Sequence, residues 1–232
     1  MRMTERSAGR IFRGARPAVV HARNRIPGLV VAEGLNPTPE QRQHLIDLVK
    51  LAVDTPVWEA SGETDCGMGA GNVMLAVGLA FDMVADELEP EFRKKAAAKL
   101  YEHCRRMLYL GHQQLCSAKS HYWQQDPANN HRWHRNAGLA ACLLAVADEE
   151  GLDTRWGLEQ FKKEMDFVMK WFPSDGSCHE SISYSSFGFP HLALAVRMSD
   201  NVLGTSYGEH PGLRRAWWPM VHSFSWKRGA HM

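Results

Sequence analysis

The chain has 232 residues, of which 44% are hydrophobic and 23% charged, and a formal net charge of +1. These values exclude disordered, collagen-like and coiled-coil classes, and the near-neutral balance argues against a dedicated nucleic-acid binder. The longest uncharged stretches, Cys66–Phe81 and Ser181–Val196, run 16 residues each and include Gly or Pro. A membrane span needs about 20 mostly apolar residues, so no span is expected.

The mean charge conceals an asymmetry. Residues 1–28 carry seven Arg and one acidic residue, Glu5, a balance of +6. The remaining 204 residues carry 20 basic and 25 acidic groups, a balance of −5. The basic start contains Pro17, Pro27 and several Gly, and it has no apolar segment of secretory type. Residues 1–36 read as an irregular basic arm, 37–225 as the folded body and 226–232 as a tail. The five Cys (Cys66, Cys104, Cys116, Cys142 and Cys178) are odd in number and widely spaced, with no CxxC. Reduced thiols are expected rather than a disulfide framework.

Taken in chain order, the elements are helical. Thr38-Pro39-Glu40-Gln41 is a helix start, with Thr38 as N-cap and Pro39 at the first helical position. Leu45, Leu48, Val49 and Ala52 then mark one apolar face. After a Gly-rich loop, Ser61–Gly71, a second helix is predicted over about 70–87. A third opens at Pro90 and carries many Lys and Arg. A polar and aromatic loop, about 117–128, leads to a fourth segment over 129–150. Its run Ala137–Ala147 is apolar all round, which predicts burial on all sides. An amphipathic fifth helix spans about 154–172 and is broken by the turn Pro173-Ser174-Asp175-Gly176-Ser177. A sixth is predicted over about 185–200, and a seventh opens after Pro211-Gly212. No alternating strand pattern of useful length occurs. The expected class is all-α, built from helical hairpins in which amphipathic outer helices wrap more uniformly apolar inner ones. A HEAT-like solenoid ranks second, because no motif recurs at a fixed period.

Two polar clusters stand out. The first is Asn129-Asn130-His131-Arg132-Trp133-His134-Arg135-Asn136, at the mouth of the apolar run. On a helix His131 shares a face with His134 and Arg135. Gly138, seven residues after His131, lies on nearly that face and permits close approach. Charged and imidazole groups at the start of a buried helix are costly unless partnered, so capping and solvation compete with a functional role. The second is Asp175-Gly176-Ser177-Cys178-His179-Glu180-Ser181-Ile182-Ser183-Tyr184, after a helix stop. Read alone, it is a turn, a cap and a packing Tyr. Metal binding by His131, His134, His179 and Glu180 has suitable residue types, but HxxH with no third local ligand is a weak signal. Proton transfer by His131 and Tyr184, supported by Asn130 and Arg135, is the stronger alternative. A Ser nucleophile is disfavoured, since there is no GxSxG elbow.

At this point the residues resemble a family. Asn129-Asn130-His131, Ala137-Gly138-Leu139-Ala140 with Asp148-Glu149, and Pro173…Asp175-Gly176-Ser177…Glu180…Tyr184…Phe187-Gly188 look like the heparinase II/III-like polysaccharide lyases, which include alginate and oligoalginate lyases. Ala80–Asp86 followed by Pro90-Glu91-Phe92-Arg93, and Pro211-Gly212-Leu213, fit the same pattern. The resemblance covers about residues 60–224.

It implies an incomplete (α/α) toroid, here without the C-terminal β-sandwich that the family carries. It implies β-elimination on an acidic, uronic-acid-containing polysaccharide. That reaction neutralises the uronate carboxylate, removes the C5 proton and protonates the departing O4. By similarity Asn130 meets the carboxylate, His131 is base or carboxylate partner, and Tyr184 is acid or combined acid and base. Arg135 is expected to add positive potential by helical spacing. His134 is expected near the substrate, and Glu180 is expected to orient Tyr184 or a neighbour. Trp133, Trp123 and Tyr122 are expected either to stack on sugar rings or to pack. No cofactor or metal is expected, and no nucleic-acid or membrane partner. A β-sandwich partner or self-association is a further expectation. Two other readings stand beside the lyase: a non-catalytic carbohydrate-binding or scaffold module, and an (α/α)-barrel glycoside hydrolase, for which Asp175 and Glu180 are the nearest carboxylate pair. The compartment is not legible; relatives are often periplasmic or secreted.

Overall fold

A computed structural model describes residues 34, 38–59, 65–111, 126–178 and 180–217. Most of the basic arm, the tail, Cys116, Tyr122, Trp123 and His179 lie outside the described residues. The helices are α1 Pro39–Asp54, α2 Met68–Val84, α3 Pro90–Gly111, α4 Asn130–Ala145, α5 Thr154–Trp171, α6 Ile182–Leu203 and α7 Pro211–Arg215. Single 3₁₀ turns occupy Ala85–Glu87 and Tyr207–Glu209. No strand occurs among the described residues, so the all-α expectation holds.

Local chemistry explains most helix starts. Thr38 caps α1 by accepting the amide of Gln41 at 3.2 Å. Asn129 caps α4 through the amide of His131 at 3.0 Å. Asp153 caps α5 through the amide of Trp156 at 3.3 Å. The sixth helix is longer than its sequence predicts at both ends. Ser181 is its cap, accepting the amide of Tyr184 at 3.5 Å, and Gly204 stops it in the left-handed region at φ 65°. Pro190 sits inside it and removes one backbone donor there.

Helix α4 is the hub. Its main neighbours are α2 and α6, with α3 and α5 also against it. Thus α2, α4 and α6 form a row, while α3 touches α1, α2, α4 and α5. Helix α2, with its short extension to Glu87, is long and apolar enough to cross a membrane by length and composition. However, 61% of the window is buried inside the fold, as a core helix would be. Cys66, Cys104, Cys142 and Cys178 are free thiols.

The contact between α2 and α4 depends on glycine. A Cβ built on Gly138 would lie 2.3 Å from the backbone oxygen of Gly71. Gly71 and Gly138 face each other here beside Met74, so the two backbones nearly touch. Gly138→Ala is expected to force α2 and α4 apart and cost about 1–3 kcal/mol by overpacking. A fall in the urea midpoint checks this; an unchanged midpoint shows that the helices yield freely.

A second group of residues braces the entry to α2. Asp65, with φ 60°, accepts the amides of Trp58 at 2.8 Å and Glu59 at 2.6 Å. His103 of α3 stacks on Trp58 at 3.9 Å between ring centroids and 5° between planes. Burial, together with the nearby Arg106 and Lys99 cations, pushes its imidazole down to about 3 from the usual 6.5. It is therefore neutral at pH 7, and its 3.7 Å approach to Asp65 is not an ion pair. The folded pKa is below the unfolded one, so the unfolded state binds the extra proton first. Stability contributed by neutral His103 is complete above about 6.5 and is lost as pH falls toward 3. In urea titrations across that window, His103→Gln is expected to show a shallower loss of stability with acid than the parent.

Candidate functional site

The structure brings the two polar clusters together across 50 residues of sequence. The Glu180 carboxylate sits at the N-terminus of α4. It accepts from Asn129 Nδ2 at 3.0 Å, the Asn130 amide at 3.1 Å and Asn130 Nδ2 at 2.8 Å. An anion at a helix start meets exposed N–H groups and the positive end of the helix dipole. Gly188 allows this approach. A Cβ there would fall 2.7 Å from the Asn130 Cβ and 2.9 Å from Trp133 Cε3. Tyr184 lies in the first turn of α6, four residues before Gly188. It is 54% exposed.

The remaining residues of the first cluster are placed differently from their expected roles. Asn130 is only 2% exposed, and its amide donor serves Glu180. Its Oδ1 is buried with no hydrogen-bond partner. Arg132 is buried and forms a bidentate pair with Glu164 of α5, at 2.6 and 2.9 Å. Arg135, expected to add positive potential near the substrate, is buried. It donates to the backbone oxygens of Cys66 and Met107, each at 2.9 Å. Trp133, expected either to stack on sugar rings or to pack, is buried, and its indole donates to Pro127 O at 3.1 Å. Both placements have one cause. The polar half of α4 is enclosed by its neighbours, so its long side chains point into protein. His134 is also buried, with Nδ1 2.7 Å from Asn72 Oδ1 of α2. Among the described members of the cluster, only His131 is half-buried.

Phe187 belongs to the quoted Phe187-Gly188 motif, whereas His191, Asn72 and Glu164 are residues of this site that the sequence reading does not single out. Phe187 and His191 of α6 lie against the His134 ring, with centroids at 4.5 and 3.5 Å. His191 Nδ1 is 3.3 Å from the Phe187 carbonyl, and burial holds this imidazole below its ordinary pKa. His191 continues the stripe of Tyr184 and Phe187 at helical spacing, which is the signal that could have found it. Asn72 stands out as an amide in a helix whose other polar side chain is Asp82, ten residues further on. Glu164 stands out as a carboxylate on the buried face of α5.

The second cluster retains its turn. Asp175 accepts the amide of Ser177 at 2.9 Å, a bond that holds its carboxyl below the usual range. With Glu180 committed to α4, the two carboxylates do not form an open facing pair. A cavity of about 100 Å³ lies between this turn and α4, lined by Trp133, Phe172, Glu180, Ile182 and Phe189 among others. That is below the range of about 300–1,000 Å³ for ligand pockets. Among the described residues no three His, Cys, Asp or Glu converge as metal ligands.

Glu180→Ala removes an acceptor from three donors, one of them the buried Asn130 amide group. The change is expected to cost about 1–3 kcal/mol and to lower the thermal midpoint. Glu180→Gln is expected to cost less, because its side-chain oxygen still accepts. No protein-family model, curated protein or solved structure matches the chain.

Proposed function

We propose that the chain is the helical, incomplete (α/α) toroid portion of a polysaccharide lyase, acting on uronic-acid-containing polysaccharide by β-elimination. The observation that carries this reading is the meeting of Asn129 and Asn130 with Glu180 at one end of α4. The row of apolar helices α2, α4 and α6, with α3 lying across it, suits the two-layer plan of such a toroid. In this reading the accessible reactive groups are His131 and Tyr184. Tyr184 has an exposed ring and no hydrogen bond to its hydroxyl among the described residues. The base takes the proton from C5, and the electron pair forms the C4=C5 double bond. The C4–O4 bond breaks, and the acid returns a proton to O4. Tyr184 is the acid for O4, and His131 is the base or the partner of the uronate carboxylate. Asn130 takes a changed role: it positions Glu180 and the start of α6 rather than meeting the substrate directly.

One observation favours a second reading, a non-catalytic helical module. The donors expected for a substrate carboxylate are already occupied by Glu180, as in a structural cap. Turnover separates the two readings. The folded protein is incubated with alginate, heparin, heparan sulfate and chondroitin, and ultraviolet absorbance of an unsaturated uronate is followed. Tyr184→Phe is expected to lower kcat by about 10²–10⁴-fold, the span of acid–base catalysis, with an unchanged melting curve. Absence of product from all four polymers would sink the lyase reading and leave the module.

A further inference from the structure

The outer side of α3 carries a concavity unrelated to the end of α4. It is lined by Tyr101, Glu102, Arg105, Arg106 and Tyr109 of α3, with Leu152 at its edge. Its volume is about 380 Å³, within the range of small-molecule sites. Leu100, Cys104, Met107 and Leu108 occupy the other side of α3 and face the core, so the concavity opens outward. Tyr101 is held at its base by a hydrogen bond from its hydroxyl to the Asp153 carbonyl.

Two features of this surface point to a ligand. The first is an aromatic platform. Tyr109 stacks on Trp156 of α5, with centroids 5.2 Å apart and planes at 25°. The second is an uncommitted cation. Arg105, one turn before Tyr109, lies with its guanidinium 5.9 Å from both ring centroids. Its neighbour Arg106 is paired with Glu102 at 2.5 Å and with Asp65 at 3.3 Å. Arg105 has no carboxylate or hydrogen-bond partner among the described residues.

We propose that this concavity is a second saccharide site, which binds one sugar ring bearing a single carboxylate. A guanidinium presents a planar fork of donors that matches one carboxylate. Tyr109, which lines the concavity and is held by its stack on Trp156, offers an aromatic surface for the C–H face of a pyranose. Glu102 and Arg106 supply an acceptor and donors for ring hydroxyls. A polyphosphate fits less well, because Glu102 would oppose charge beyond what Arg105 balances. The choice of a sugar acid over an aromatic acid rests on the lyase reading; the anionic ring itself does not.

The test is a nuclear magnetic resonance titration of the full chain with D-glucuronate, D-glucose and benzoate. The Trp156 indole N–H and Arg105 Nε–H are the reporters. Glucuronate is expected to shift both in a saturable way, and glucose to bind at least about tenfold more weakly. Arg105→Gln is expected to weaken glucuronate about tenfold and leave glucose unchanged, while Tyr109→Ala weakens both sugars. Both side chains are exposed, and the amide spectrum of each variant verifies its fold. Equal binding of glucuronate and glucose, or an Arg105→Gln variant that binds like the parent, overturns the site. Benzoate binding more tightly than glucuronate overturns its assignment to a sugar. Shifts confined to His131 and Tyr184 overturn the second site and leave the lyase reading standing. Shifts at Trp156 without cleavage of any polymer support the site and count against the lyase.

Discussion

Burial of the polar half of α4 governs the arrangement of everything around it. Asn130, Arg132, His134, Arg135 and Asn136 lie inside the protein, and groups of this kind are costly there unless each is partnered. Their partners come from five different places. Glu180 precedes α6, Glu164 belongs to α5, and Asn72 belongs to α2. The Cys66 carbonyl precedes α2, and the Met107 carbonyl lies on α3. Asn136 adds a bond to Glu164 at 3.3 Å. Each bond ties a neighbouring element to a definite height on α4. The Arg132–Glu164 pair adds little net stability over an apolar pair of the same shape, but losing one partner strands a buried charge.

This constraint also determines what is left for chemistry. Since α4 uses most of its polar groups internally, its open end presents His131 and, across the contact with α6, Tyr184. Their placement is inherited from the core. Gly138 sets how closely α2 lies against α4, and Gly188 sets how closely α6 approaches Asn130. A rim that hangs on buried bonds is held in place before any ligand arrives. The same bonds also explain why a purely structural account of the cluster competes with a catalytic one.

Local chemistry made much of the helical framework legible. Thr38 with Pro39, Pro90, Asn129 and Asp153 all mark helix starts through interactions within a few residues. The start of α6, predicted near residue 185, lies at Ile182 with Ser181 as cap, in a serine-rich stretch where local chemistry favours no single cap. The site was legible as two clusters but not as a set of roles. Arg135 and Trp133 have the same identity whether they face a substrate or the core. What decides is enclosure by α2, α3, α5 and α6. Glu164 left a trace, as a carboxylate on an apolar stripe, but its pairing with Arg132 spans 32 residues and needs the fold to be seen.

The opening composition of 232 residues and +1 net charge bounded the class and little else. By itself the sequence determined that the chain is helical, where most of its helices begin, and that two polar clusters stand near helix starts. Those features depend on periodicity and on capping bonds spanning three or four residues. Only the tertiary structure decided that the clusters meet, that Glu180 occupies the N-terminus of α4, and that Arg132 and Arg135 are internal. Burial and long-range pairing are properties of packed neighbours, and no local pattern encodes which neighbour a side chain will find.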